Sequence, residues 1–375
     1  MAQRRLRLGM VGGGRGAFIG AVHRIASRLD DRWELVAGAL SSDPERARAS
    51  AEDLRIAPDR AYADFREMAR AEADREDGID AVAIVTPNHM HAGPAVAFLA
   101  AGIHVICDKP LAATPDQARQ IADAVRSSRA RFVLTHNYTG YPLIRQAREM
   151  VARGELGRLR LVQAEYAQDW LTATVEAEGT NKQAAWRTNP EMAGAGALGD
   201  IGTHAFNLLG FVSGLRTEAL LADLQSFGAG RQVDDNAHVL LRLEGGARGM
   251  LWASQVAPGN ENGLRLRIYG DRGGLEWCQE NPNVMTHAPL GEPKRILTRG
   301  GAGLGGGASR WTRIPPGHPE GYLEAFATIY SDAADLIGGT GDGALLPDIG
   351  SGLEGMWFIE ACQRSSRAGG EWVGR

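Results

Sequence analysis

Over the first 135 residues, short apolar runs alternate with amphipathic stretches. Leu6 to Val11, Trp33 to Leu40, Ile79 to Val85, His104 to Cys107 and Arg131 to Thr135 have strand length. They are crowded with Ala, Val and Ile and lack polar alternation, the pattern of parallel strands covered on both faces. Between them, Ala21 to Leu29, Pro44 to Leu54, Phe65 to Ala73, Ala92 to Ala101 and Pro115 to Ser127 have helical spacing, several with Pro in the first turn and one closed by Gly102. This order predicts a doubly wound α/β domain over residues 1–138.

After Tyr138 the period changes. One helix, Leu143 to Arg153, stops at Gly154, and longer segments then alternate with period two: Leu159 to Tyr166, Ala219 to Phe227, Ala237 to Leu243, Gly249 to Gln255 and Leu264 to Tyr269. Such strands predict an α+β domain over 139–375, with an open, mostly antiparallel sheet whose second face is available to another subunit. A homo-oligomer, dimer or tetramer, is expected through that sheet. The run Arg299 to Ser309 carries so many glycines that ordering it is entropically costly, and it reads as a mobile loop. Helices Tyr322 to Ile337 and Gly352 to Arg364 follow it, and no internal repeat is visible.

With 375 residues and 44% hydrophobic content the chain can bury two cores. Its formal charge of −4 and the lack of a basic block with interleaved aromatics argue against nucleic acid. No apolar run approaches the ~20 residues that span a bilayer. Cys107, Cys278 and Cys362 lie far apart without ligand spacing, so neither a disulfide framework nor a metal site is expected. A cytoplasmic protein is the expectation.

The first strand runs into Gly12-Gly13-Gly14-Arg15-Gly16-Ala17-Phe18-Ile19-Gly20, followed by a helix. A dinucleotide needs this context, a tight turn and then close approach of the pyrophosphate to a helix N-terminus. Two registers fit, one ending its motif at Ala17 and a preferred longer one using Gly20 as the third small position. The second strand ends at Ser41-Ser42 rather than at a carboxylate, with Asp43 two positions late and Arg46 in the next helix. Two hydroxyls and a guanidinium suit a 2′-phosphate, so NADP is favoured over NAD. Alternatively Asp43 simply caps the helix at Pro44.

Two further runs carry chemistry. Asp108-Lys109-Pro110 closes a strand, and Gly199-Asp200-Ile201-Gly202-Thr203-His204 spaces an acid and an imidazole at i and i+4, on one face of a helical turn. Oxidising a secondary alcohol requires a base on the hydroxyl while hydride leaves the carbon. His204, ordinarily titrating near ~6.5, is the expected base. Asp200 binds a substrate hydroxyl or steadies the imidazolium, and Lys109 stabilises the developing oxyanion. Tyr138, Asp169-Trp170 and Trp186-Arg187 are secondary candidates for a carbohydrate, whose faces are apolar and whose rim is hydroxylated. His318 to Tyr322 is a candidate cap over the site.

These segments, together with Thr86-Pro87-Asn88-His89-Met90-His91 and His136-Asn137-Tyr138, resemble in their order the Gfo/Idh/MocA family of glucose-fructose oxidoreductase and inositol dehydrogenase. The resemblance implies an N-terminal Rossmann domain, a C-terminal α+β domain, and a sugar or cyclitol bound between them. Cofactor contacts are then expected from Gly12, Gly13, Gly14, Phe18, Ile19, Gly20, Ser41, Ser42, Arg46, Thr86, Pro87, Asn88, His91, Asp108, Lys109, Pro110 and Asn137. Substrate contacts are expected from Lys109, Tyr138, Trp186, Arg187, Asp200 and His204. Two departures stand out: Asp108 occupies a position usually Glu in the family, and the glycine loop is longer. Two other activities fit the same fold. One is glycoside cleavage through transient oxidation by bound NAD, and the other is cofactor sensing with an idle site, which the intact Lys/Asp/His set disfavours.

Overall fold

A computed structural model describes residues 4–176 and 182–375. The chain divides into two compact units, Met1–Asn137 with Tyr322–Leu353, and Tyr138–Gly321 with Glu354–Arg375. The first crossing falls beside the expected boundary at 138. The second unit is not the contiguous 139–375, however, because a late segment returns to the first.

In the first unit, β1 (Leu6–Gly12), α1 (Phe18–Leu29), β2 (Trp33–Ala39), α2 (Pro44–Asp53), α3 (Phe65–Asp74), β3 (Ala81–Val85), α4 (Ala92–Ala100), β4 (His104–Cys107), α5 (Pro115–Ser127) and β5 (Phe132–Leu134) alternate. The five strands form one parallel sheet in the order β2-β1-β3-β4-β5. All five residues of β3 are buried, which is why its sequence, Ala-Val-Ala-Ile-Val, carries no polar position. Helix Tyr322–Ile337 packs on α1 and adds Phe326, Ile329, Tyr330 and Ala333 to the core around Leu8, Met10 and Trp33. Each buried aromatic contributes about 1.5–3 kcal/mol, which explains the return of this helix.

The second unit holds α6 (Pro142–Ala152), β6 (Leu159–Ala167), the short α7 (Lys182–Arg187) and α8 (Pro190–Ala193), and α9 (Thr203–Ser213). Strands β7 (Thr217–Gln225), β8 (Asn236–Leu243), β9 (Arg248–Ser254), β10 (Gly263–Gly270), β11 (Gly273–Cys278), β12 (Val284–Pro289) and β13 (Arg295–Thr298) follow, then α10 (Gly306–Ser309) and β14 (Val373–Gly374). The nine strands are ordered β13-β12-β11-β10-β6-β9-β8-β7-β14. All pairs are antiparallel except β6 with β9. Helix α9 packs on β6, β9 and β10. On the other face Leu161, Leu240, Met250 and Tyr269 are exposed, and their register places them together.

Two expectations are corrected. The sheet has four strands beyond the five anticipated, because β11, β12, β13 and β14 are short or interrupted by Gly and Pro. The glycine-rich run is not an unstructured loop: α10 forms within it and packs on α6, and Gly305 N–H donates to Gln146 Oε1 at 2.7 Å. A Cβ on Gly305 would meet the Glu149 carboxylate, so a larger residue there would displace that side chain. Among the described residues no helix is long and apolar enough to cross a membrane.

Candidate active site

The candidate nucleotide site lies at the C-terminal ends of the first unit's parallel strands. Gly12 and Gly13 have φ of +80° and +72°, a region that disfavours L side chains. A Cβ on Gly14 would lie 2.7 Å from Leu40 O, and one on Gly20 would collide with the Gly13 backbone. Helix α1 starts at Phe18, three residues before its expected start, and Gly20 in its first turn packs directly on the Gly13 backbone. Phe18 is 65% exposed and Ile19 partly so, leaving the mouth of the loop apolar. Beside it, a Cβ on Gly12 would meet Thr86 Cγ2 at 2.9 Å. Thr86 Oγ1 and Asn137 Nδ2 are buried with no hydrogen-bond partner among the described residues. A narrow glycine cradle and two unsatisfied polar atoms fit a dinucleotide.

At the tip of β2, Asp43 Oδ1 accepts from Arg46 N at 2.7 Å, capping α2, and Ser41 Oγ accepts from Asp43 N. The Asp43 carboxylate is thus held on the helix backbone, while Ser42 and Arg46 are exposed.

Lys109 is partly buried at the tip of β4, in cis peptide linkage to Pro110. Asp108 Oδ1 accepts from Lys109 N at 2.9 Å and from Thr135 Oγ1 at 2.8 Å, so its carboxylate shapes the Lys109 turn. Three buried histidines flank this turn. His136 has its pKa pushed down to about 3, first by burial and then by the Lys109 cation. His23 pairs through Nδ1 with Tyr330 Oη at 2.8 Å, and its Nε2 stands 3.9 Å from Asp108. His91, expected against the cofactor, is instead wholly buried, with both ring nitrogens on backbone carbonyls.

The candidate acid and imidazole lie within the second unit. The half-buried Asp234 carboxylate accepts from Gly196 N and Leu198 N, holding the start of a π-helical turn, Leu198–Gly202, that runs into α9. Gly196 has no room for a side chain against Asp234 O. Asp200 sits in this turn and His204 in the first turn of α9. Asp200 Oδ2 accepts from Gln255 Nε2 at 2.9 Å and Arg187 Nε at 3.2 Å. His204, 8% exposed, packs edge-on against Tyr138, centroids 4.8 Å apart, and tilted against Tyr166. The two candidates of the Asp/His pair therefore have distinct neighbours, polar for Asp200 and aromatic for His204.

A continuous hydrogen-bond chain lies behind them. Gln168 Oε1 accepts from Trp170 Nε1 at 3.0 Å and Gln255 Nε2 at 3.3 Å. Gln168 Nε2 and Tyr166 Oη both donate to Asn262 Oδ1 at 2.8 Å. Tyr166 has one proton and gives it to Asn262, so in the 2.5 Å contact between phenols Tyr138 is the donor. Tyr138 is 3% exposed, and burial pushes its pKa up to about 12, so the phenol beside His204 is neutral. Arg187, which donates to Asp200, also lies over the Trp186 ring at 4.3 Å. Asp169 accepts from Gly259 N. In the candidate cap, Glu320 is buried and accepts from Arg299 Nη1 at 2.8 Å, which uses its carboxylate within the loop. Among the described residues no cluster could hold a metal.

Gln168, Gln255, Asn262 and Tyr166 are absent from the expected set. For Lys109 a signal was present in the composition: of 41 Lys and Arg residues only Lys109, Lys182 and Lys294 are lysines. Where arginine is the default cation, a lysine beside Pro110 marks a position needing a compact ammonium.

Residues 6–138 match the NAD-binding Rossmann-fold oxidoreductase family model, and residues 144–276 match the GFO/IDH/MocA C-terminal domain. An oxidoreductase from Sinorhizobium meliloti is 57% identical over 99% of this chain and 100% of its own, with a TM-score of 0.91. An inositol dehydrogenase homolog from Azotobacter vinelandii, solved with NAD+, is 40% identical over 99% and 98%, with a TM-score of 0.94. Levoglucosan dehydrogenase of Pseudarthrobacter phenanthrenivorans is 30% identical over 75% of each chain.

Proposed function

The chain belongs to the Gfo/Idh/MocA family of NAD-binding oxidoreductases, and from that premise we propose that it moves hydride between a nicotinamide dinucleotide and the CH–OH carbon of a sugar or cyclitol. The observation that carries the reading is the Asp200–His204 turn. A carboxylate oriented by two N–H donors presents an acceptor to a hydroxyl, beside an imidazole packed against two phenol rings. The amide-rich surround of Gln168, Gln255 and Asn262 suits a polyhydroxylated ligand. The bound dinucleotide supplies the hydride acceptor or donor. In alcohol oxidation His204 takes the hydroxyl proton as the C–H bond breaks and the carbonyl forms, Asp200 holds a neighbouring hydroxyl, and Lys109 stabilises negative charge on the reacting oxygen. In ketone reduction His204 returns the proton.

The substrate class draws on the relatives, which include levoglucosan dehydrogenase and an inositol dehydrogenase homolog solved with NADH and myo-inositol. For the cofactor, the capped Asp43 and the exposed Ser42 and Arg46 favour NADP, although the relatives were solved with NAD+ or NADH. Self-association is proposed through the outer face carrying Leu161, Leu240, Met250 and Tyr269. The test follows reduced-cofactor absorbance with NAD and NADP against hexoses, inositols, anhydrosugars and glycosides. Turnover of a free polyol supports the reading; sugar release from a glycoside with no net change in cofactor refutes it.

A further inference from the structure

His91 opens α4 and is 0% exposed. Its Nδ1 lies 2.9 Å from Pro110 O and its Nε2 2.9 Å from Thr86 O. These carbonyls belong to the turns at the tips of β3 and β4, neighbours in the parallel sheet with Ile84 opposite Cys107. One turn is Thr86-Pro87-Asn88; the other carries Lys109. Beyond the last ladder bond nothing in a parallel sheet fixes the spacing of two such turns, and each carbonyl needs a partner once buried.

We propose that His91 is a positioning residue whose single ring sets the spacing between the dinucleotide turn and Lys109. The proposal rests on the roles given above to Lys109 and to the Thr86–Asn88 turn. A ligand pressing on Thr86 or Asn88 thereby acts on Lys109 through a rigid ring, with the flexible Gln117 amide, between His89 O and Ala113 N, a second link farther from Lys109. Which carbonyl receives the N–H is set by the tautomer, and the imidazolium serves both. Burial opposes that charge while Asp108 favours it, burial being the larger effect.

The test uses the scarcity of lysine. Competitive acylation of the intact protein, read by peptide mass spectrometry, gives the reactivity of Lys109 against the exposed Lys294 in the same molecule. His91→Leu removes both contacts at similar volume, and His91→Asn keeps one donor and one acceptor. In His91→Leu the Lys109:Lys294 rate ratio is expected to change about fivefold or more, and the dinucleotide to bind about five- to thirtyfold more weakly, one to two hydrogen bonds' worth. His91→Asn should fall between the variants and also answers if His91→Leu does not fold. A folded variant with a ratio within ~1.5-fold of wild type and unchanged dinucleotide affinity overturns the proposal, even if its Tm drops. Failure of the wild-type protein to bind any dinucleotide defeats the oxidoreductase reading instead, and the acylation ratio still tests the clamp.

Discussion

Gln255→Leu should lower kcat/KM by about ten- to a hundredfold while leaving the protein folded. Gln255 Nε2 donates to Asp200 Oδ2 at 2.9 Å from a residue only 1% exposed. A hydrogen bond to a charged group contributes about 1.5–3 kcal/mol, and 1.4 kcal/mol is tenfold in rate. The other donor to that oxygen, Arg187, is 3.2 Å away with both side chains partly exposed, so water screens it and it only partly substitutes. Gln168 loses a long 3.3 Å donor but keeps Trp170 at 3.0 Å, so the wider network survives. Leucine preserves most of the volume, so the cost in stability should not exceed the about 1.5–3 kcal/mol of the lost hydrogen bond. Steady-state rates on the best substrate, with thermal unfolding as control, read the effect. Gln255→Glu, which sets one carboxylate against another, should be worse than leucine. A folded Gln255→Leu enzyme within twofold of wild type would show that the position of Asp200 does not matter and refute the role given to it.

Lys109→Ala should cost at least ~10²-fold in turnover through loss of a positioned cation, and Lys109→Arg should not restore it, because a planar fork cannot replace a compact ammonium; near-normal turnover of either in steady-state assays ends the assignment. Gly20→Ala pushes a methyl into the Gly13 backbone and should cost about 1–3 kcal/mol with weaker dinucleotide binding, measured by urea unfolding and NAD(P)H fluorescence; unchanged values would mean the loop relaxes freely. Arg46→Ala should weaken NADP about ten- to a hundredfold and leave NAD nearly unchanged, with Ser41→Asp moving preference the other way; at least tenfold tighter NADH than NADPH binding by wild type contradicts the NADP reading. His136, with its pKa near 3 in the folded state, gains a proton on unfolding, so its contribution is complete above pH ~6.5 and lost as pH falls toward 3. Against His136→Leu, wild-type stability should therefore fall by up to ~1.4 kcal/mol more per pH unit between pH 6.5 and 4, and parallel denaturation curves would exclude it.

Periodicity placed the five parallel strands and the switch to alternating strands after Tyr138, while the glycine loop, Lys109 and the Asp200–His204 turn stood out as local motifs in a fixed order. These are local properties: a strand buried on both faces excludes polar residues, a nucleotide turn demands glycine, and an i, i+4 pair shares a face. The short strands β11 to β13 are not legible in the sequence because β11 opens on two glycines, β12 ends on Pro289 and β13 has only four residues, and they form only where a neighbouring strand completes the ladder. The inward turn of His91 was equally hidden, since its partners are backbone atoms that no side-chain pattern encodes. The supporting amides depended most on tertiary structure. Gln168 and Gln255 follow β6 and β9, and only the parallel pairing of Ala167 with Ser254 sets them side by side, 87 residues apart in the chain. Sequence determined which groups could do chemistry; the long-range register decided which of them hold Asp200, because a hydrogen bond is made by distance and direction, and these follow from strand pairing rather than residue type.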